Sequence, residues 1–168
     1  MVDKTNPDDL HIRIGTPEDI DDIMAVAMQA TEENGFLEAS QAKLVQEIYP
    51  ALCQDHGIVG LIGPKDGSIE GVVVLRIGEM WYSDVPVVEE KAIFIHPEFR
   101  SAKGGRARRL CAFSKKVADT LGIPLIIGVL SNHRTEAKIR MYEREFGKPS
   151  GALFLYGAKT GVHSGTEH

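Results

Sequence analysis

Arg100, Lys103, Gly104, Gly105, Arg106 and Arg108 crowd a single short stretch, and their types and spacing suit one task, the holding of an anion. Paired glycines let a backbone turn closely and aim successive N–H groups outward, and a loop of such groups feeding a helix N-terminus attracts negative charge. Between Phe99 and Asp119 the charged residues are Arg100, Lys103, Arg106, Arg108, Arg109, Lys115 and Lys116, all basic, in a chain whose net charge is -5. This local reversal points to a ligand that carries phosphate. Upstream, Glu89 and Glu90 stand side by side, and because adjacent strand residues face opposite ways, at most one can enter a given cleft.

The elements needed to position these groups follow from pattern. Ala92-Ile93-Phe94-Ile95 reads as the end of a buried strand running from Pro86 to His96, which Pro97 stops. Beyond the loop, Leu110, Phe113 or Ser114, Val117 and Leu121 recur at helical spacing. The order is strand, basic glycine loop, helix.

The run Ile93-x-Ile95-His96-Pro97-Glu98-Phe99-Arg100-x-x-x-x-Gly105-Arg106-Ala107 resembles the acetyl-CoA signature of the GNAT superfamily of N-acetyltransferases. It departs from that pattern at Lys103, where the family has its first glycine, which leaves the register of the loop open. A second series, Asn132, Ala137 or Lys138, Met141-Tyr142-Glu143 and Phe146-Gly147, resembles the family's next signature, with a longer spacing and an inverted final pair. The resemblance covers roughly residues 86 to 147 and implies a mixed α/β fold: a mostly antiparallel central sheet flanked by helices, with a splay between its two central strands.

It also implies roles. Ile93, Phe94 and Ile95 would bond the pantetheine arm of acetyl-CoA; Arg100, Ser101, Ala102, Lys103, Gly104, Gly105, Arg106 and Ala107 would form the pyrophosphate loop, with Asn132 on the opposite strand end. Tyr142 is the expected general acid for the departing thiolate, and Glu90 the expected general base, with Glu89 as its alternative. The implied activity is acetyl transfer to a primary amine of a small molecule or a protein; the reading set against it is a non-catalytic acyl-CoA sensor. A nucleotide- or RNA-binding domain using the same basic loop is a third, predicting salt-dependent polyanion binding.

The rest of the chain reads in order. His11–Ile14 alternates as a strand. Thr16-Pro17-Glu18-Asp19 caps a helix carrying Ile20, Ile23, Met24 and Ala27, and Ser40 caps another that Pro50 should kink or end. Ile58–Ile62 and Ile69–Ile77 form a hairpin, with a bulge or close approach expected at Gly71. Leu125–Leu130 is a continuous apolar strand, Ile139, Tyr142 and Phe146 share a helix face, and Ala152–Tyr156 is a last strand.

Residues 1–157 are thus read as one domain and 158–168, rich in Gly, Ser and Thr, as a disordered tail. The short C-terminus leaves room for a homodimer whose partner supplies what is missing. With no long apolar run and no apolar leader, the chain is expected to be cytoplasmic and without a membrane partner. Cys53 and Cys111 lie in helical patterns with no metal-ligand neighbours, and the net acidity argues against nucleic acid.

Overall fold

Strand β1 (Leu10–Ile14) enters helix α1 (Ile20–Asn34) through a cap written into the local sequence. In the computed structural model, which describes residues 6–100, 103–131 and 134–158, the Thr16 N–H donates to Asp19 Oδ2 at 2.8 Å. Arg13 on β1 grips the same carboxylate with two N–H···O bonds, each 2.8 Å. These bonds, the Arg13 pair first, hold the Asp19 carboxyl down at about 2, against a smaller opposing effect of burial. A carboxyl lowered on folding contributes stability that is present above its ordinary value of 3.8 and lost as pH falls through about 2. Asp19→Ala is therefore expected to cost roughly 0.5–2 kcal/mol at neutral pH, an effect that fades in acid and that urea denaturation at the two pH values measures.

Helix α2 (Gln41–Leu52) starts at Ser40, whose Oγ accepts from the Lys43 N–H at 3.2 Å. Pro50 was expected to kink or end it, yet α2 runs through Pro50 to Leu52. The proline lies in the last turn, where its missing N–H removes one bond from a helix about to stop.

Three longer strands complete the frame, β2 (Gly57–Pro64), β3 (Gly71–Glu79) and β4 (Pro86–Ile95), joined after helix α3 (Arg106–Leu121) by the two-residue β5 (Leu125–Ile126). The sheet order is β1-β2-β3-β4-β5, antiparallel throughout except for the parallel β4–β5 pair. On one face Ile23 and Val26 of α1 and Ile48 and Leu52 of α2 pack on Val59, Leu61, Val72, Val74 and Phe94. On the other, Leu110 and Ala118 of α3 pack on Ile62, Val73, Leu75 and Val88. Helix α4 (Thr135–Phe146) lies beside α3. Among the described residues no helix is long and apolar enough to cross a membrane.

The bulge lies in β4 and not at Gly71. Val74 pairs with Ala92 and Leu75 with Glu90, so Lys91 is an extra residue. At Gly71 the close approach is real: an added Cβ would lie 2.7 Å from Ile95 Cδ1. Ahead of the bulge Val88 and Glu90 face α3; beyond it Ile93 and Ile95 do.

Two expected strands are shorter or missing. The apolar run Leu125–Leu130 pairs with β4 only through Val88–Leu125 and Glu89–Ile126. The bulge follows directly on those pairs and bends β4, so the two chains diverge and residues 127–130 are unpaired. Ala152–Tyr156 forms no strand, since so short a β5 offers little edge on which to build one. Of the tail, residues 159–168 lie outside the described residues.

Candidate active site

The divergence of β4 from the chain beyond β5 opens a cleft of about 760 Å³, closed at one end by the first turn of α3 and walled by α1 and α4. Helix α3 can start there because Gly104 and Gly105 both take positive φ, +127° and +58°. A Cβ at Gly104 would meet Leu10 Cδ1 at 2.7 Å, and its φ is one that L side chains rarely adopt. The ladder of α3 begins with the Arg109 N–H donating to Gly105 O at 2.9 Å, so the preceding N–H groups have no intrahelical acceptor and are free for an anion.

The cations around this end divide into braces and bystanders. Arg100 donates from Nε to Ile95 O at 3.0 Å, pairs with Glu33 Oε2 at 2.7 Å and lies over the Phe94 ring, tying the end of β4 to the end of α1. Arg106 turns inward: its guanidinium meets Glu70 at 3.4 Å, both side chains being 2 % exposed, and also bonds Lys103 O at 3.1 Å. Arg109 clamps Leu10 O and Pro7 O. Lys138 on α4 donates to Ser131 Oγ at 2.7 Å, and burial, then Arg100, then Arg134, push its ammonium below the usual lysine range, with Glu33 opposing. A cation discouraged by neighbouring cations marks a place where an anion is favoured.

Deeper in, on the α3 side of the sheet, burial pushes the Glu90 carboxyl up to about 7, while N–H groups of Gly128 and Ile93 and the charge of Lys91 pull it back. Burial, then Glu90 and Cys111, raises the Tyr142 phenol above its ordinary range. Cys111 rises to about 12 through burial, then through Glu145 and Glu90. Glu90 thus acts on both Tyr142 beside it in the cleft and Cys111 behind the cleft wall. Glu89 points to the opposite face and holds Lys91 Nζ at 2.9 Å. A carboxyl that exchanges its proton near neutrality, a phenol that keeps its own, and a helix N-terminus at the mouth together equip the cleft for proton transfer beside a bound anion. A larger apolar cavity of about 1060 Å³ lies under the C-terminal half of α3, among Ile14, Ile58, Ile77, Phe113 and Leu121, away from every one of these groups.

No family model and no curated protein matches the sequence. Solved structures do. An acetyltransferase of Trypanosoma brucei matches with a TM-score of 0.65 and 16 % identity, over 89 % of this chain and 99 % of that one. The fold is that of the GNAT acetyltransferases. AAC(6')-Iy, solved with the bisubstrate analogue CoA-S-monomethyl-acetylneamine, matches with a TM-score of 0.64 and 19 % identity over 89 % and 98 % of the two chains. The aminoglycoside antibiotic 6'-N-acetyltransferase AAC(6')-Ih of Acinetobacter baumannii gives 0.61 and 14 % over 90 % and 99 %. At these identities the likeness is one of fold.

Within this acetyltransferase fold the cleft brings together Glu90, Ile93, Phe94, Ile95, Arg100, Gly105, Arg106, Ala107 and Tyr142. Lys103 and Gly104 shape the loop but do not line it, and Ser101, Ala102 and Asn132 lie outside the described residues. His96, at the strand end, accepts from the Glu98 N–H through Nδ1 at 3.3 Å and is likewise not in the lining. Sequence reasoning missed Arg134 and Glu145 and gave Lys138 no charge role; nothing in the sequence around α4 signals that these residues line the same cleft as Arg100 and Glu90.

Proposed function

We propose that the chain is an acetyl-CoA-dependent N-acetyltransferase that moves the acetyl group directly to a primary amine. One observation carries the reading: a carboxyl held near 7 and a half-buried phenol share a cleft whose mouth is the uncapped N-terminus of α3. Acetyl-CoA would supply the activated acetyl thioester. The cleft suits it, since the crowded cations around Lys138 and the free N–H groups of the first turn of α3 favour phosphate.

In this reading the N–H groups of Gly105, Arg106 and Ala107 hold phosphate, with Arg108 and Lys138 adding charge. Ser101, Ala102 and Asn132 are assigned to the same task by the motif alone. Arg100, Lys103 and Gly104 keep the loop in shape, and the Ile93–Ile95 backbone faces the arm. Glu90 takes the proton from the amine; with its carboxyl near 7, it is substantially ionised at neutral pH and still basic enough to retain a proton. Tyr142 stays protonated and donates to the sulfur on which negative charge collects. Glu90 and Glu145, the acids of the cleft not already held by an arginine or lysine, would favour a cationic acceptor at its inner end, which agrees with the aminoglycoside acetyltransferases sharing the fold.

The test is thermal unfolding with acetyl-CoA, coenzyme A or ATP, on the wild type and on Gly105→Asp. A ligand that binds only the native state at about 100 times its Kd adds about 2.7 kcal/mol of stability. Acetyl-CoA is expected to raise Tm more than ATP does, and the rise to vanish in the variant. The absence of any rise at millimolar acetyl-CoA overturns the reading, and a rise without acetylated amine product leaves an acyl-CoA sensor.

A further inference from the structure

Helix α3, with α4 beside it, covers only part of its face of the sheet. Among the described residues no α-helix lies on the β1 side of α3, and a groove of about 1060 Å³ is left between the C-terminal half of α3 and the ends of β1, β2 and β3. Ile14, Ile58 and Ile77 form its floor, and Phe113, Val117 and Leu121 its wall. Phe113 reaches the floor because Gly60 has no side chain: a Cβ there would lie 2.7 Å from Phe113 Cε1. Ile14 and Leu121 stay 44 % and 49 % exposed, so the groove presents apolar surface to water.

The far end of the groove is closed by residues 54–56, which two bonds fix in place. The Ile77 N–H donates to His56 O at 2.8 Å, and Arg76 Nη1 donates to Asp55 O at 3.2 Å. Gln54 and His56 hold φ at +55° and +50°, a region that residues other than glycine rarely enter. Strain of this kind persists where the surroundings over-determine it, and it gathers at ligand clamps.

Charge along the rim is mostly of one sign. Arg109 and Lys116 stand two turns apart on the same edge of α3, and neither joins an ion pair among the described residues. Arg109 donates only to the Leu10 and Pro7 carbonyls, which leave its charge uncompensated. Arg13 is matched by Asp19, and the one acid of the lining, Asp55, lies 3.7 Å from His56 Nε2. In a chain of net charge -5, an apolar groove edged by two such cations selects a ligand that is apolar along its length and anionic at one end. From Arg109 to Thr120 the helix edge runs roughly 16 Å, the reach of an extended alkyl chain of medium length.

We propose that this groove is a second ligand site, which holds an unbranched medium-chain carboxylate with its head beside Lys116 and its chain along the isoleucine floor. The ligand is bound and not transformed. Val88 lines the groove and Glu90, two positions further along β4, lines the cleft, so the ligand abuts the strand that carries the candidate base.

The inference is independent of the chemistry proposed above, and its test contains no acetyl donor. Dodecanoate, kept below its micellar concentration, is titrated into the full chain carrying isotope-labelled isoleucine methyls. The methyl resonances of Ile14, Ile58 and Ile77 should shift while those of Ile93 and Ile95 in the cleft stay in place, and saturating coenzyme A should not displace the ligand. Dodecyltrimethylammonium, with the same chain and the opposite charge, should bind at least about tenfold more weakly, and Lys116→Glu, an exposed position, should cost dodecanoate a similar factor. The proposal is overturned by unmoved Ile14, Ile58 and Ile77 methyls at the highest monomeric dodecanoate, by shifts centred on Ile93 and Ile95, or by displacement with coenzyme A. Equal affinity for the two head groups, or wild-type affinity for dodecanoate in Lys116→Glu, overturns it as well.

Discussion

Glu90→Gln is expected to lower kcat for acetyl transfer by roughly 10²–10⁴-fold, the usual range for loss of a positioned general base, with little change in the affinity for coenzyme A. Glutamine keeps the shape and can still accept the N–H bonds of Gly128 and Ile93, but it cannot take a proton. The wild-type rate should climb as Glu90 ionises and level off above about 7, and that limb should be absent from the variant.

Stability should move the other way. Burial raises the Glu90 carboxyl from 4.5 to about 7, so the stability it contributes is fully present below 4.5 and is lost as pH rises through about 7. The glutamine variant carries no charge to desolvate and should gain on the wild type over that interval, as measured by urea midpoints on either side of it. A site that sacrifices stability for reactivity behaves this way. Full activity with an unaltered pH profile in the variant would remove Glu90 from the mechanism.

The second large effect is structural. Glu70→Ala leaves the Arg106 guanidinium buried without the carboxylate it faces at 3.4 Å. Breaking a buried ion pair by deleting one partner costs about 3–5 kcal/mol, because the remaining charge is neither solvated nor compensated. For a domain of this size that corresponds to a fall in Tm of roughly 6–20 °C. The Arg106 Nε already lacks a hydrogen-bond partner, so the site has little spare capacity to compensate. Because Arg106 also bonds Lys103 O at the entrance to α3, the same change should loosen the glycine loop and weaken coenzyme A binding. The double variant Glu70→Leu with Arg106→Met, which removes both charges, should recover most of the lost stability. A single variant that melts within a degree or two of the wild type would show that the pair contributes little.

Much of the frame was legible because the rules that set it act over a few residues. Thr16 and Asp19 cap the entry to α1 through bonds between positions three apart, Ser40 starts α2 in the same way, and Gly104-Gly105 supplies the positive φ from which α3 departs at Arg106. Strand β4, the basic loop and α3 could therefore be read in order, and with them the expectation of a cleft lined by Glu90, Arg100, Gly105 and Tyr142.

Where sequence reasoning went astray, the deciding partner was distant. Gly71 was expected to mark a bulge or a close approach and marks the approach; register is a property of two strands, and the pairing of Val74 and Leu75 with Ala92 and Glu90 put the extra residue at Lys91. That bend cut short the strand expected over Leu125–Leu130. The run of cations did not reveal where the Arg106 side chain goes: Glu70, thirty-six positions earlier, draws its guanidinium into the core while the residue itself stays in the cleft lining.

The sequence by itself determined the order of strands and helices, their caps, and the sign of charge on the loop before α3, since backbone preference and capping are local. Only the tertiary structure decided that β4 and β5 part, that Lys138 stands among Arg100 and Arg134, and that the Glu90 carboxyl titrates near neutrality. Desolvation and charge coupling depend on what the fold brings within a few ångströms, whatever the separation along the chain.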